Sequence, residues 1–329
     1  MRALVFSRPD DPCVDLVEAA IARRGGELLR LDTRAFPGEV TLSFGVGADA
    51  APPIMGGLPL AGARSAWIRH LEVARALPED LDPEHARAVQ VIAGSTLFSL
   101  LETLDLFLLD APEALLAAPL KARQAQLAVA VGLEVPRTLI SNDAATIRAF
   151  ARSCGGRVVA KMVETGSVGL RGAAGERAYP TLALDAEDLE ELPGIELSPM
   201  IFQERVDKAL EARVTVVGDQ MFVAAVEPGD AVDVREDPAL IAGLRAYEGL
   251  PDRVRRALFA LLDRLCLNFA TFDLILTPDG RWVFLEVNTV SFFDHVERHA
   301  GLPISDAVAD LLLGLRPPRV LLPGRRGAR

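Results

Sequence analysis

Residues 273–288, Asp273-Leu-Ile-Leu-Thr-Pro-Asp-Gly-Arg-Trp-Val-Phe-Leu-Glu286-Val-Asn288, read as two apolar strands folded back about a turn. Asp279-Gly280 suits a two-residue hairpin turn, because both residue types tolerate positive φ. Pairing outward from that turn sets residue 278 opposite 281, 276 opposite 283, and so Asp273 opposite Glu286, with Cβ atoms about 5 Å apart. Asn288 follows Glu286 by two residues, so strand alternation turns it to the same face. Ile275 and Phe284 are expected on that face too, which sets the two acids at the end of an apolar surface where unpaired negative charges repel and lose hydration. A cation relieves the conflict: two carboxylates and an amide oxygen are hard donors suited to magnesium, which shares its other positions with water and nucleotide phosphates. The alternative is a solvated polar strand face whose charge partner lies elsewhere.

Upstream of this hairpin, Ala212 to Val217 and Gln220 to Val226 form a second one, turning at Gly218-Asp219. Ala212, Val214 and Val216 face a core, and Arg213 falls opposite the small Ala224, leaving room for a carboxylate or phosphate against its guanidinium. An exposed pair with Glu211 is the plainer reading of Arg213. Lys161 interrupts the apolar strand around Val158 to Val163, and a phosphate would neutralise its ammonium there, unless the stem packs and the head reaches water. Between Glu164 and Arg177, Gly166, Gly169, Gly172 and Gly175 predict a mobile loop; it has no G-K-[ST] pattern. Arg235 is a further phosphate-contact candidate. Nothing in the spacing of His295 and His299 requires a metal, and ordinary helix histidines fit both.

The first hundred residues alternate strand-like and helix-like patterns: Ala3 to Phe6 extended, Val14 to Arg23 helical, Glu27 to Leu31 and Ser65 to Arg69 extended, Glu84 to Leu104 helical. The chain therefore starts as α/β and becomes α+β towards its C-terminus, with segments expected at 1–115, 116–199 and 200–315 and a frayed tail at 316–329. Lys121 to Val131 reads as a helix stopped at Gly132, and Ser141-Asn142-Asp143 as the cap of another. At 329 residues the chain exceeds one hydrophobic core. Its 35 basic and 46 acidic residues, net −11, argue against broad attraction to nucleic acid or anionic lipid. Three scattered cysteines suggest neither disulfides nor zinc, and no apolar run is long enough for a signal peptide or a membrane span, so a cytoplasmic protein is expected.

The acid, hairpin and Glu-x-Asn arrangement resembles the C-terminal metal motif of ATP-grasp ligases. The resemblance implies an ATP-grasp fold with an N-terminal α/β pre-ATP-grasp domain, and ATP and Mg2+ as cofactors. It also implies roles: Asp273, Glu286 and Asn288 holding the ion, Lys161 and Lys121 contacting nucleotide phosphates, and the glycine-rich loop closing over the triphosphate. Gln203-Glu204-Arg205-Val206 falls at the family's adenine-binding hinge, with Glu204 as the side-chain contact. Leu197 to Glu204, Glu211 to Gly218, Phe272 to Gly280, Gly301 to Leu313 and Trp67-Ile-Arg69 are similar to the microviridin-type maturases that make graspetides. That likeness implies cross-linking of a precursor peptide through an acyl phosphate, with Arg213 and Arg235 stabilising charge, and a homodimer. Two stretches depart from the pattern. Thr289-Val-Ser-Phe-Phe293 stands where the maturases carry Pro-Asn-Gly-Gln-Trp, and Arg205 stands where an aromatic residue is common. The rival readings are an amino-acid ligase of the glutathione synthetase or ribosomal-protein glutamate-ligase type, and a nucleotide-binding regulator without turnover.

Overall fold

The computed structural model describes residues 1–47, 49–163, 181–229 and 238–321. The glycine-rich segment 164–177, Arg235 and the last residues of the tail lie outside them.

The N-terminal part carries β1 (Arg2–Ser7), α1 (Pro12–Arg23) and β2 (Glu27–Asp32). A small antiparallel sheet of β3 (Leu42–Ser43), β4 (Ile54–Met55) and β5 (Leu58–Pro59) follows, then β6 (Ser65–Ile68), α2 (Pro83–Thr103) and β7 (Phe107–Leu109). The main strands are parallel in the order β2-β1-β6-β7. Both long helices begin alike, with an aspartate cap and a proline in the first turn. Asp11 accepts from the Cys13 amide at 3.0 Å, and Asp82 from those of Glu84 and His85.

Two short helices, α3 (Pro112–Ala117) and α4 (Lys121–Ala130), lead into the central part. There β8 (Thr138–Ser141), α5 (Ala144–Ser153), β9 (Val158–Met162), β10 (Leu182–Leu184), α6 (Ala186–Glu191) and β11 (Met200–Glu204) build an antiparallel sheet in the order β10-β9-β11-β8. Val158, Ala160 and Phe202 on one face pack against Ile147 and Ala151 of α5. Alternation leaves Val159, Lys161 and Gln203 on the other face.

The last sheet, β14-β13-β12-β15-β16, is antiparallel throughout. It contains β12 (Leu210–Val217), β13 (Gln220–Val226), β14 (Arg245–Ala246), β15 (Phe269–Leu276) and β16 (Trp282–Asn288), with α7 (Pro238–Ala242) and α8 (Asp252–Leu265) inserted and α9 (Asp294–Ala300) and α10 (Ile304–Leu312) after it. Leu258, Leu261, Leu262 and Leu265 recur at helical spacing and bury α8 against Ala212, Val214, Val216, Phe272, Leu274 and Phe284. Truncating one such leucine to alanine costs about 2–5 kcal/mol. The opposite face is covered only in part: Phe269 and Val217 lie under Phe293, Val296 and α10, whereas Asp273 and Arg213, further along their strands, are left outside that cover.

The β15–β16 hairpin differs from the sequence reading in its wiring. The loop has three residues, Pro278-Asp279-Gly280, with Gly280 at φ 85° and Thr277 N–H bonded to the Arg281 carbonyl, so the first pairs are Leu276 with Trp282 and Leu274 with Phe284. That register alone would put the acids out of step. A β-bulge between Asp273 and Leu274 leaves Leu285 unpaired and restores Asp273 opposite Glu286. The expected opposition therefore holds, but Phe284 turns into the core and Leu285 takes the place on the acid side that Phe284 was expected to fill.

Candidate active site

Lys121, Lys161, Gln203, Glu204, Val206, Arg213, Asp273, Glu286 and Asn288 all line one cavity of about 360 Å³ between the central and C-terminal sheets. Ile275, Leu285, Leu244 and Val290 supply much of its apolar wall. Its size is in the range of small-molecule sites.

At its acidic end Asp273 and Glu286 face each other across β15 and β16. Asn288 donates its amide N–H to Asp273 Oδ2 at 3.0 Å and to Glu286 Oε1 at 3.2 Å. A half-turn of that carboxamide would present Oδ1 to the same place and give a divalent ion two carboxylates and an amide oxygen. Among the described residues no group of three or more His, Cys, Asp or Glu side chains is arranged to hold a metal, so the hard-ion character of the site rests on this mixed donor set. It fits magnesium with phosphates better than a soft metal.

Cations flank the acids. Arg213 is the direct cross-strand neighbour of Asp273 and donates Nη1–H to its Oδ1 at 2.9 Å, while Nη2–H bonds the Ser291 hydroxyl at 2.5 Å. Glu211, the plainer partner for Arg213, pairs with Lys208 instead. Arg213 Nε is buried without a hydrogen-bond acceptor among the described residues, a donor that an anionic oxygen would satisfy. Lys121 at the head of α4 approaches Glu286 Oε2 to 3.5 Å. Lys161 stands in β9, opposite Ile201, on the cavity-facing side. Strand β11 ends at Glu204, and Gln203 donates to the Thr138 hydroxyl at 3.1 Å. His295 also lines the cavity, where burial and then the charge of Arg213 push its imidazole pKa down, so it is neutral near pH 7. His299 is not among the lining residues.

Gln124 was not singled out from sequence. It lies one turn after Lys121 on α4, 3 % exposed, and donates to the carbonyls of Ala118 (2.8 Å) and Val287 (2.9 Å) while accepting the Val287 N–H at 3.2 Å. β16 is an edge strand, so Val287, between Glu286 and Asn288, has no strand to bond on that side, and the carboxamide takes its place. Glu134 does the same at Phe284, accepting its N–H at 2.8 Å. The one sequence signal was spacing, since i and i+3 on a helix share a face.

The segment after Asn288 is gripped from the N-terminal sheet. Arg69, 2 % exposed, forms a bidentate pair with the fully buried Asp11 (2.9 and 3.1 Å) and donates Nη1–H to the Ser291 carbonyl at 2.7 Å. Its guanidinium lies 5.0 Å from the Trp67 ring and 5.3 Å from that of Phe292. Phe293 stacks on Trp67 and tilts against Phe269. Burial would raise the Asp11 carboxyl, but the His70 imidazole 3.5 Å away, the charge and hydrogen bonds of Arg69 and the Ser7 hydroxyl outweigh it and hold Asp11 well below the usual carboxylate range.

Comparison with known proteins gives a consistent picture. Residues 4–115 match the family model described as the MvdD pre-ATP grasp domain. Macrocyclase MdnC of Microcystis aeruginosa MRC, solved bound with precursor peptide MdnA, is 30 % identical and superposes with a TM-score of 0.85 over 95 % of this chain and 100 % of that one. A RiPP-associated ATP-grasp ligase of Chryseobacterium gregarium, solved with ADP and a leader and core peptide, is 25 % identical with a TM-score of 0.84, over 97 % and 98 % of the two chains. The ATP-grasp ligase PsnB, solved with a phosphomimetic variant of its minimal precursor, Mg and ADP, is 25 % identical with a TM-score of 0.74, over 95 % and 97 %. No curated protein sequence matches the chain. Among the described residues no helix is long and apolar enough to cross a membrane.

Proposed function

Because this chain belongs to the ATP-grasp ligases of ribosomal-peptide maturation, we propose that it uses ATP and magnesium to cross-link side chains of a precursor peptide. The observation that carries the proposal is the convergence of two facing carboxylates, an amide and three cationic side chains, Lys121, Lys161 and Arg213, on one cavity. Asp273, Glu286 and Asn288 would hold the magnesium ion, and Lys121 and Lys161 the phosphates. Gln203, Glu204 and Val206 line the same cavity and would take the purine. The ion supplies neutralisation of phosphate charge.

In the reaction proposed, a peptide Asp or Glu carboxylate attacks the γ-phosphorus of ATP and ADP departs, leaving an acyl phosphate. A Ser or Thr hydroxyl, or a Lys amine, then attacks the acyl carbon, loses its proton and expels inorganic phosphate. The product is an ester or an amide, one water lighter than the linear peptide. Arg213, bonded to Asp273 and Ser291 through its two terminal nitrogens, offers its charge and its unsatisfied Nε–H to the oxygens on which charge accumulates. No protein nucleophile is required. Arg235 lies outside the described residues, and its expected phosphate contact is kept as part of this proposal. So is a homodimer, which the family resemblance implies.

The test is incubation of the enzyme with the peptide encoded beside its gene, ATP and magnesium, followed by mass spectrometry. Loss of one water per cross-link with stoichiometric ADP is expected. Addition of a free amino acid would instead identify a glutamate-ligase type of reaction, and nucleotide binding without either product would identify a regulator.

A further inference from the structure

We infer that Arg69 is a positioning residue for this reaction, fixing the Ser291–Phe292 segment from the N-terminal sheet so that the Ser291 hydroxyl holds Arg213 against Asp273. The inference rests on the function proposed above and adds to it a mechanical link between the N-terminal sheet and the reacting centre. The link is a continuous chain of hydrogen bonds. Asp11 takes Nε–H and Nη2–H of Arg69, Arg69 Nη1–H goes to the Ser291 carbonyl, the Ser291 hydroxyl accepts from Arg213 Nη2–H, and Arg213 Nη1–H reaches Asp273.

A buried ion pair serving packing alone would be complete with Asp11 and Arg69. Here all three guanidinium nitrogens are engaged, and the one not used by Asp11 is spent on the backbone of the segment that leaves β16. The planar group is also set between Trp67 and Phe292, so it has one available orientation. Phe292 and Ser291 line the cavity, so their placement is felt at the reacting atoms. Displacing a charge-stabilising arginine by about an ångström costs rate far more than binding.

The experiment measures kcat and KM for ATP, with the precursor peptide and magnesium, in Ser291→Ala, Ser291→Thr, Arg69→Lys and the double variant Ser291→Ala/Arg69→Lys. Loss of the link lowers kcat about 10-fold in each of Ser291→Ala and Arg69→Lys with KM for ATP within about twofold, and the double variant falls no further than about 20-fold, because one path is broken twice. Ser291→Thr, which keeps the hydroxyl, stays near the parent enzyme. Multiplicative losses in the double variant, or an unchanged kcat in Ser291→Ala, overturn the inference. If Arg69→Lys does not fold, Asp11→Asn takes its place in the cycle, since it loosens the guanidinium while keeping the shape of its partner. No cross-linked product from the parent enzyme refutes the proposed function, whereas normal parent turnover with additive variant effects refutes the positioning role alone.

Discussion

Replacing Glu286 by glutamine removes one charge from the pair that faces across β15 and β16 without changing its shape. Asp273 is paired with Arg213 and Glu286 with Lys121, so the variant makes this cluster one charge more positive before any ion arrives. A unit charge pair about 4 Å apart at an effective dielectric near 20 is worth about 4 kcal/mol, and twice that for a divalent ion. Much of this is offset, because the carboxylate must also be desolvated and Lys121 is freed to bind phosphate. A net loss of about 3 kcal/mol remains, or roughly a 100-fold weaker magnesium-dependent component of nucleotide affinity. Calorimetric titration of the Glu286→Gln protein with ADP, with and without magnesium, reads that component directly. The variant should unfold at the same denaturant concentration as the parent or slightly higher, since opposed like charges are relieved. An unchanged magnesium increment would refute the reasoning. So would an equal loss with and without magnesium, because the side chain would then be acting on the nucleotide or the fold rather than on the ion.

Gln124→Leu strips acceptor and donor from both backbone groups of Val287 and is expected to cost about 3 kcal/mol in urea denaturation, with weakened magnesium binding. Deleting Leu285 removes the bulge but brings Glu286 into the slot opposite Asp273 with the same strand alternation, so magnesium-dependent nucleotide binding should be retained in calorimetry, and its loss would refute the register. Burial lifts the Asp110 carboxyl from 3.8 to about 7 despite hydrogen bonds from the Asn268 and Phe269 amides. Between those values the fold holds a proton that the unfolded chain has released, so stability falls as pH rises through the window, by up to about 1.4 kcal/mol per unit, and levels off above it. Urea midpoints from pH 4.5 to 8 should therefore flatten in Asp110→Asn; an unaltered slope rejects the assignment.

Much of this site was legible because strands carry their chemistry at fixed intervals. Lys161 broke an apolar run, Arg213 alternated with Ala212 and Val214, and both now sit as that alternation required. The Ser141-Asn142-Asp143 cluster was expected to cap a helix, and Asp143 is the residue that does so. The Asp273–Glu286 opposition was reached for an incomplete reason: a two-residue turn without a bulge and a three-residue turn with one bring the same two positions together. Only the β16 residues ahead of the bulge change sides, which is why Phe284 was assigned to the wrong face. Neither Gln124, beyond its spacing from Lys121, nor Arg69 carried a local signal of the contact it makes, since their partners Val287 and Ser291 lie 163 and 222 residues away. Such contacts depend on how sheets dock, and no window of sequence holds both ends.

The outer rim of β16 has a consequence for how any peptide could reach the acids. Val287 is capped by a side-chain amide and Phe284 by the main chain at Glu134, so an extended guest cannot zip onto this border as an extra strand without first evicting them. Under the proposed function, a peptide would come in over the open side of the sheet, a mode of entry that suits a reaction between side chains.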